Sequence, residues 1–272
     1  MPDDPRRLDG RIDDGDSVLV LAGSRSDPDD RACTELLTRH PPAEANVLSV
    51  SLDSSPDDRL ALWRRAVGES LPRRAAVVDA RAGAGDHPRE GSSAVAATDA
   101  VALDVLPAGA DTTAIGLAVA KRLGEWSATG DPTHLCLHSV GPLLDSFPTP
   151  AVVSLLDGLN RLGSAMDVSA HHHLDPAGRD DATMSSLRPL YDAVATYEGD
   201  GWRVEEPAAA DGTDARSPRP AAAGPGVATA VGPPPGSPTS TGRSRSSPTP
   251  HAARCCRRSS SGSATTPRRR WT

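Results

Sequence analysis

Gly23-Ser24-Arg25-Ser26-Asp27-Pro28-Asp29-Asp30 is the stretch on which the reading of this chain turns. The apolar run Val18-Leu19-Val20-Leu21-Ala22 leads into it, and a helical pattern carrying Ala32, Leu36 and Leu37 leads out. Strand, glycine turn and helix in that order form the place where an α/β protein carries a phosphate loop, written G-x-x-x-x-G-K-[ST]. Counted from Gly23, the second Gly falls on Pro28, the Lys on Asp29 and the Ser/Thr on Asp30. Asp27 is expected to cap the helix, with Pro28 at its first position and two more carboxylates in the first turn. Three acids already complement the positive end of the helix, so a phosphate would meet repulsion there. Gly23, Ser24, Asp29 and Asp30 therefore mark a degenerate phosphate-loop position that is not expected to bind nucleotide.

The same alternation continues along the chain. Strands are expected at Val18–Ala22, Asn46–Ser51, Ala75–Asp79, Thr133–His138, Val168–His173 and Ala193–Tyr197. A closing piece, Trp202–Val204, follows the hairpin signal Gly199-Asp200-Gly201. Several of these are short continuous apolar runs, as expected where both faces of a parallel sheet are covered. Ser55-Pro56-Asp57-Asp58 repeats the cap, proline and acid pattern ahead of Leu60, Trp63 and Val67. Asp111 opens a helix with Ile115, Val119, Leu123 and Trp126 on one stripe. A further helix from about Thr149 to Met166 turns Val152, Leu155, Leu156, Leu159 and Leu162 inward. The pattern predicts an α/β fold with a doubly wound, mostly parallel sheet and a C-terminal hairpin. Gly83–Ser93 reads as a mobile loop. The expected organisation is a flexible lead-in at 1–14, one domain at 15–206 and a tail at 207–272.

Charge divides the chain. All 36 acidic residues precede Ala215, against nineteen basic ones, giving that part a net −17; from Arg216 onward there are ten Arg and no acid. Lys121 is the only lysine. An acidic, lysine-poor surface suits concentrated salt, where its self-repulsion is screened within about 3 Å at 1 M. A halophilic cytoplasm is the reading this supports; an acidic surface in ordinary cytosol is the alternative. No stretch reaches the ~18 apolar residues of a membrane span, and the first residues lack the apolar segment of a signal peptide, so a cytoplasmic protein without membrane contact is expected. The tail from Arg216 is almost wholly Arg, Pro, Ala, Gly, Ser and Thr and is expected to be disordered. It reads either as a basic arm for nucleic acid or as a frame-shifted gene end, which the loss of every acid favours. The folded part should repel nucleic acid.

Three blocks together resemble the RecA/KaiC-type ATPase core: Ser17–Leu37; Thr133-His134-Leu135-Cys136-Leu137-His138-Ser139-Val140, at the place of the Walker B strand; and Leu187–Val194 with the hairpin after it. More narrowly, Asp57–Arg64 and His171-His172-His173-Leu174-Asp175-Pro176 are similar to a haloarchaeal family of unknown function with such a core. The resemblance covers about residues 15–205. It implies a RecA-like fold in which the His171–His173 strand pairs with the Walker B strand, and self-association of such cores. It does not carry over the chemistry. The loop lysine is absent, and His138 stands where the Mg²⁺-binding Asp is expected; neutral imidazole is a poor Mg²⁺ ligand. Phosphoryl transfer relies on those cationic contacts.

The expectation is thus a non-catalytic binding, regulatory or signalling module with a protein partner, and with no catalytic residues or cofactor. An atypical NTPase using ATP and Mg²⁺ is the alternative, to be supported by an Arg or Lys beside the Gly23–Asp30 turn. A transition-metal site on His138, His171 and His173, near Asp175, is a further one, since strand alternation puts His171 and His173 on one face. Cys33 and Cys136 read as small core residues, and Ser139 next to His138 as no activated nucleophile.

Overall fold

The computed structural model describes residues 4–8, 10–81 and 101–207. The Gly83–Ser93 loop and the tail from residue 208, with Cys255 and Cys256, lie outside the described residues. The elements are β1 (Ser17–Leu21), α1 (Asp27–Leu37), β2 (Asn46–Ser51), α2 (Pro56–Val67), β3 (Arg74–Asp79), β4 (Val101–Val105) and α3 (Thr112–Trp126). They continue with β5 (Thr133–His138), α4 (Gly141–Ser146), α5 (Thr149–Ala165), β6 (Val168–Leu174), α6 (Asp181–Leu187), β7 (Ala193–Tyr197) and β8 (Trp202–Glu205).

One eight-stranded sheet runs β4-β3-β2-β5-β6-β1-β7-β8. Every pairing is parallel except β7 with β8. The α/β reading and the mostly parallel sheet therefore stand. β4, α4 and α6 had no counterpart in the sequence reading. β4 is an edge strand interrupted by Asp104, and α4 and α6 are only 6 and 7 residues long, too short for a helical period to emerge.

Helix starts follow local hydrogen bonding. Ser55 caps α2 in a full capping box with Asp58, and Asp111 caps α3 through the Ala114 amide. At α1 the cap is Ser26, not Asp27: its hydroxyl accepts from the Asp29 amide, so the helix starts one residue earlier than the sequence suggested. Asp29 faces the sheet because it lies on the helical stripe of Ala32, Cys33 and Leu36.

The two faces of the sheet differ. α3 and α5 cover one with a continuous apolar core that includes Leu19, Leu48, Leu135, Val152 and Leu156. α1 and α2 cover the other, where the apolar packing is split into two smaller clusters. One groups Val18, Val20, Ala32 and Trp202; the other groups Cys33, Val47, Trp63 and Cys136. Residues ahead of β1, read as a flexible lead-in, pack in the first of these: Leu8 and Ile12 are buried, and the Trp202 amide donates to the Pro5 carbonyl at 2.7 Å. Gly201 permits that contact, because a Cβ there would lie 2.7 Å from the Pro5 oxygen. No helix among the described residues is long and apolar enough to cross a membrane.

Candidate functional site

The gap between the two clusters under α1 is filled by polar and charged side chains at the C-terminal ends of β5 and β6. β5 and β6 pair with Cys136 opposite His171, and alternation then places Cys136, His138, His171 and His173 on the α1 face. α1 adds Asp29 and Cys33, one turn apart on its inward side, together with Ala32 and Leu36. α2 adds Arg59, on the same stripe as Leu62 and Trp63. All seven are buried.

Asp29 is the hub. Its Oδ1 lies 2.6 Å from Nδ1 of His173, and its Oδ2 lies 3.0 Å from Nε2 of His138. His138 Nδ1 in turn faces Asp53 Oδ1 at 3.4 Å. Burial pushes the Asp29 carboxyl up, but the hydrogen bonds and charges of the two imidazoles outweigh it and hold the group well below the usual carboxylate range. Burial likewise pulls His173 down; Asp29 and then Cys33 reverse it, so His173 is pushed up to about 9. His138 moves upward for the same reason, through Asp29 and Asp53 against its own burial.

Below this ion pair sits a second group. The sulfurs of Cys33 and Cys136 are 3.5 Å apart, and Nη2 of Arg59 lies 2.8 Å from the first and 3.4 Å from the second. The Cys136 contact lowers the Cys33 thiol; burial opposes this and the Arg59 charge assists it. Cys136, buried beside that anionic partner, is raised. The two sulfurs are thus pushed in opposite directions, with the Arg59 guanidinium against both.

The sequence-predicted residues are therefore partly assembled. His138 and His173 meet, with ring centroids 4.8 Å apart, and His171 and His173 are 5.1 Å apart. The carboxylates beside them are Asp29 and Asp53 rather than Asp175, which instead accepts from the amides of Ser24 and Ala177. Ser139 accepts from the Gly141 amide. Gly23 and Ser24 stay in the turn, and Asp30 pairs with Arg65 at 3.5 Å. Cys33, Cys136, Arg59 and Asp53 had not been read as one group. The signal was present for Arg59, since an arginine on an inward apolar stripe requires a buried anion.

The turn is closed on itself. Ser24 N donates to Asp175 Oδ2, Arg25 N to Asp29 Oδ2, Ser26 N to the Gly23 carbonyl, Asp29 N to Ser26 Oγ and Asp30 N to the Ser26 carbonyl. Beside it, a cavity of about 240 Å³ is lined by Arg25, Asp30, Asp58, Arg59, Arg65 and His138 among others.

These features define an α/β domain with a closed, internally paired polar site at the C-terminal ends of its central parallel strands. The chain belongs to the DUF7504 family, a family of unknown function, whose model matches residues 15–197. Among solved structures it is similar to an uncharacterized protein from Pyrococcus horikoshii crystallised in complex with an unknown peptide. The identity is 13%, with a TM-score of 0.47 over 71% of this chain and 83% of that one. No curated protein matches it.

Proposed function

We propose that the domain is a RecA/KaiC-like core without nucleotide chemistry, working as a binding or regulatory module in a halophilic cytoplasm. The observation that carries this is the internal pairing of the turn. Five of its amides, at Ser24, Arg25, Ser26, Asp29 and Asp30, already donate to acceptors within the protein. A phosphate loop works by offering such amides to the ligand. His138, at the Walker B position, is engaged by Asp29 and Asp53, which leaves neither ring nitrogen facing a ligand. The pairing of β5 with β6 supports the RecA-like assignment, as the resemblance implies.

One observation favours the atypical NTPase. Arg25, Arg59 and Arg65 stand beside the turn and line its cavity. Each already has an anionic neighbour, however: Arg25 faces the Asp53 carboxylate at 4.0 Å, Arg65 faces Asp30 at 3.5 Å, and Arg59 lies against the cysteine sulfurs. The binding-module reading is the stronger one.

Calorimetric titration of the full chain in molar KCl with Mg²⁺ against ATP, ADP and GTP tests it. The expected result is no saturable heat up to millimolar nucleotide. Micromolar binding would replace this reading with the NTPase.

A further inference from the structure

We infer that Cys33, Cys136, His171 and His173 form a transition-metal site, with Zn²⁺ the ion they suit best. The inference stands whether or not a nucleotide binds. One ligand atom from each of the four lies within 4.8 Å of all the others, and all four residues are buried. A tetrahedral Zn²⁺ site, with bonds of about 2.3 Å to sulfur and about 2.0 Å to nitrogen, sets its sulfurs about 3.8 Å apart. The observed separation of 3.5 Å needs only a small adjustment to meet that.

Three independent features point to an ion. The first is a pair of orphaned atoms: Nε2 of His171 and Nε2 of His173 are buried and, among the described residues, form no hydrogen bond. Unsatisfied buried nitrogens are costly in a protein interior, and coordination would satisfy both. The second is the state of His173, whose Nδ1 is held by the Asp29 carboxylate at 2.6 Å. This fixes the ring as metal-ligating histidines are fixed, with one nitrogen bonded to a carboxylate and the other directed at the ion. The third is charge. The Arg59 guanidinium lies 2.8 Å from the Cys33 sulfur and 3.4 Å from that of Cys136, so it can donate to two coordinated thiolates and offset part of their charge.

Two thiolates and two imidazoles in tetrahedral array select zinc over Mg²⁺ or Ca²⁺, which require oxygen. Four protein ligands with no open position make a closed site, one that locks α1 onto β5 and β6 rather than one that activates water. The ion would brace the face of the sheet whose apolar packing is interrupted. The His138 proposed from the sequence is not a ligand here; it completes the support of Asp29.

The test uses untagged full-length chain purified without chelator, in a Cys255→Ser/Cys256→Ser background so that tail thiols cannot contribute. Elemental analysis is expected to find about one zinc per chain, and X-ray absorption at the zinc edge two sulfur and two nitrogen neighbours. Co²⁺ exchanged into the site should give tetrahedral visible bands with thiolate charge transfer. Cys33→Ser should roughly halve the charge transfer and weaken metal affinity severely, while Asp29→Asn should weaken affinity by roughly 10–100-fold and retain both sulfurs. A folded chain with no stoichiometric metal and no cobalt bands overturns the inference. So does a bound ion with no sulfur neighbour, which would move it to Asp29, His138 and His173. The absorption measurement on the background protein decides this even if the ligand variants fail to fold.

Discussion

His172 and His173 are adjacent on β6, equally buried, and held in opposite protonation states. His172 points into the apolar face, where its Nδ1 meets the Tyr191 hydroxyl at 2.9 Å. Burial, then the charges of His171 and His173, pull its pKa down to about 3. His173 points into the α1 face, meets a carboxylate, and is pushed up to about 9. One residue of register along a strand thus separates a neutral core imidazole from one member of a buried ion pair. The lesson extends to the whole sheet. The α3 and α5 face is built for stability, with a single apolar cluster, whereas the α1 and α2 face interrupts its packing to house Asp29, Arg59 and the cysteines. Buried polar networks of that kind tend to be retained at functional sites.

The comparison can be broken in several ways, each in chelator-treated protein. Asp29→Ala should have the largest effect, because it removes the buried carboxylate that His173 and His138 share; a loss of about 3–5 kcal/mol is expected from the shift of the denaturant midpoint. A loss under about 1 kcal/mol would mean the ion pair is not formed. On the other face, Leu156→Ala removes packing alone and should cost about 2–5 kcal/mol. It should leave the His173 titration where it was.

The pH dependence follows from buried histidines shifted in opposite directions, His173 and His138 upward and His172 and His134 downward. His173 has a folded pKa above its unfolded value, so its contribution is complete below about pH 6.5 and is lost as pH rises through about 9. His172 and His134, the latter also lowered to about 3 by burial and by His40 and His171, act the other way. The unfolded chain takes up protons that they refuse, so stability falls as pH drops from about 6.5 toward 3. Each limb should approach ~1.4 kcal/mol per pH unit per proton. His173→Gln should shrink the alkaline limb, leaving the part that His138 supplies, measured as midpoint against pH. The smallest effect is expected of Ser55→Ala, which removes the α2 cap for about 1 kcal/mol. It sharpens the comparison by loosening the helix that carries Arg59 while leaving the Asp29–His173 pair intact.

Most of the architecture was legible because each central strand is a short apolar run and most of the long helices carry a cap residue, as at Ser55 and Asp111. β4 was not, since an edge strand with Asp104 in it lacks that signature. The site was half legible. Alternation along the expected strand Val168–His173 put His171 and His173 on one face, and the pairing of β5 with β6 followed from the resemblance. What could not be read was the register that sets Cys136 opposite His171, because a slip of one residue would have turned Cys136 to the other face. Asp29 shares the helical stripe of Ala32, Cys33 and Leu36, which carries it inward, but the sequence alone could not show that two imidazoles meet it there and make it the hub of a buried network.

The most direct test is a histidine titration by NMR on chelator-treated, ¹⁵N-labelled protein, with His172→Gln and His173→Gln to assign the signals. The account predicts that His172 stays neutral throughout the neutral range while His173 remains an imidazolium beyond pH 8, with Nδ1–H directed at Asp29. Both rings titrating together near pH 6.5 would contradict it, and the closed polar site would then not exist in solution.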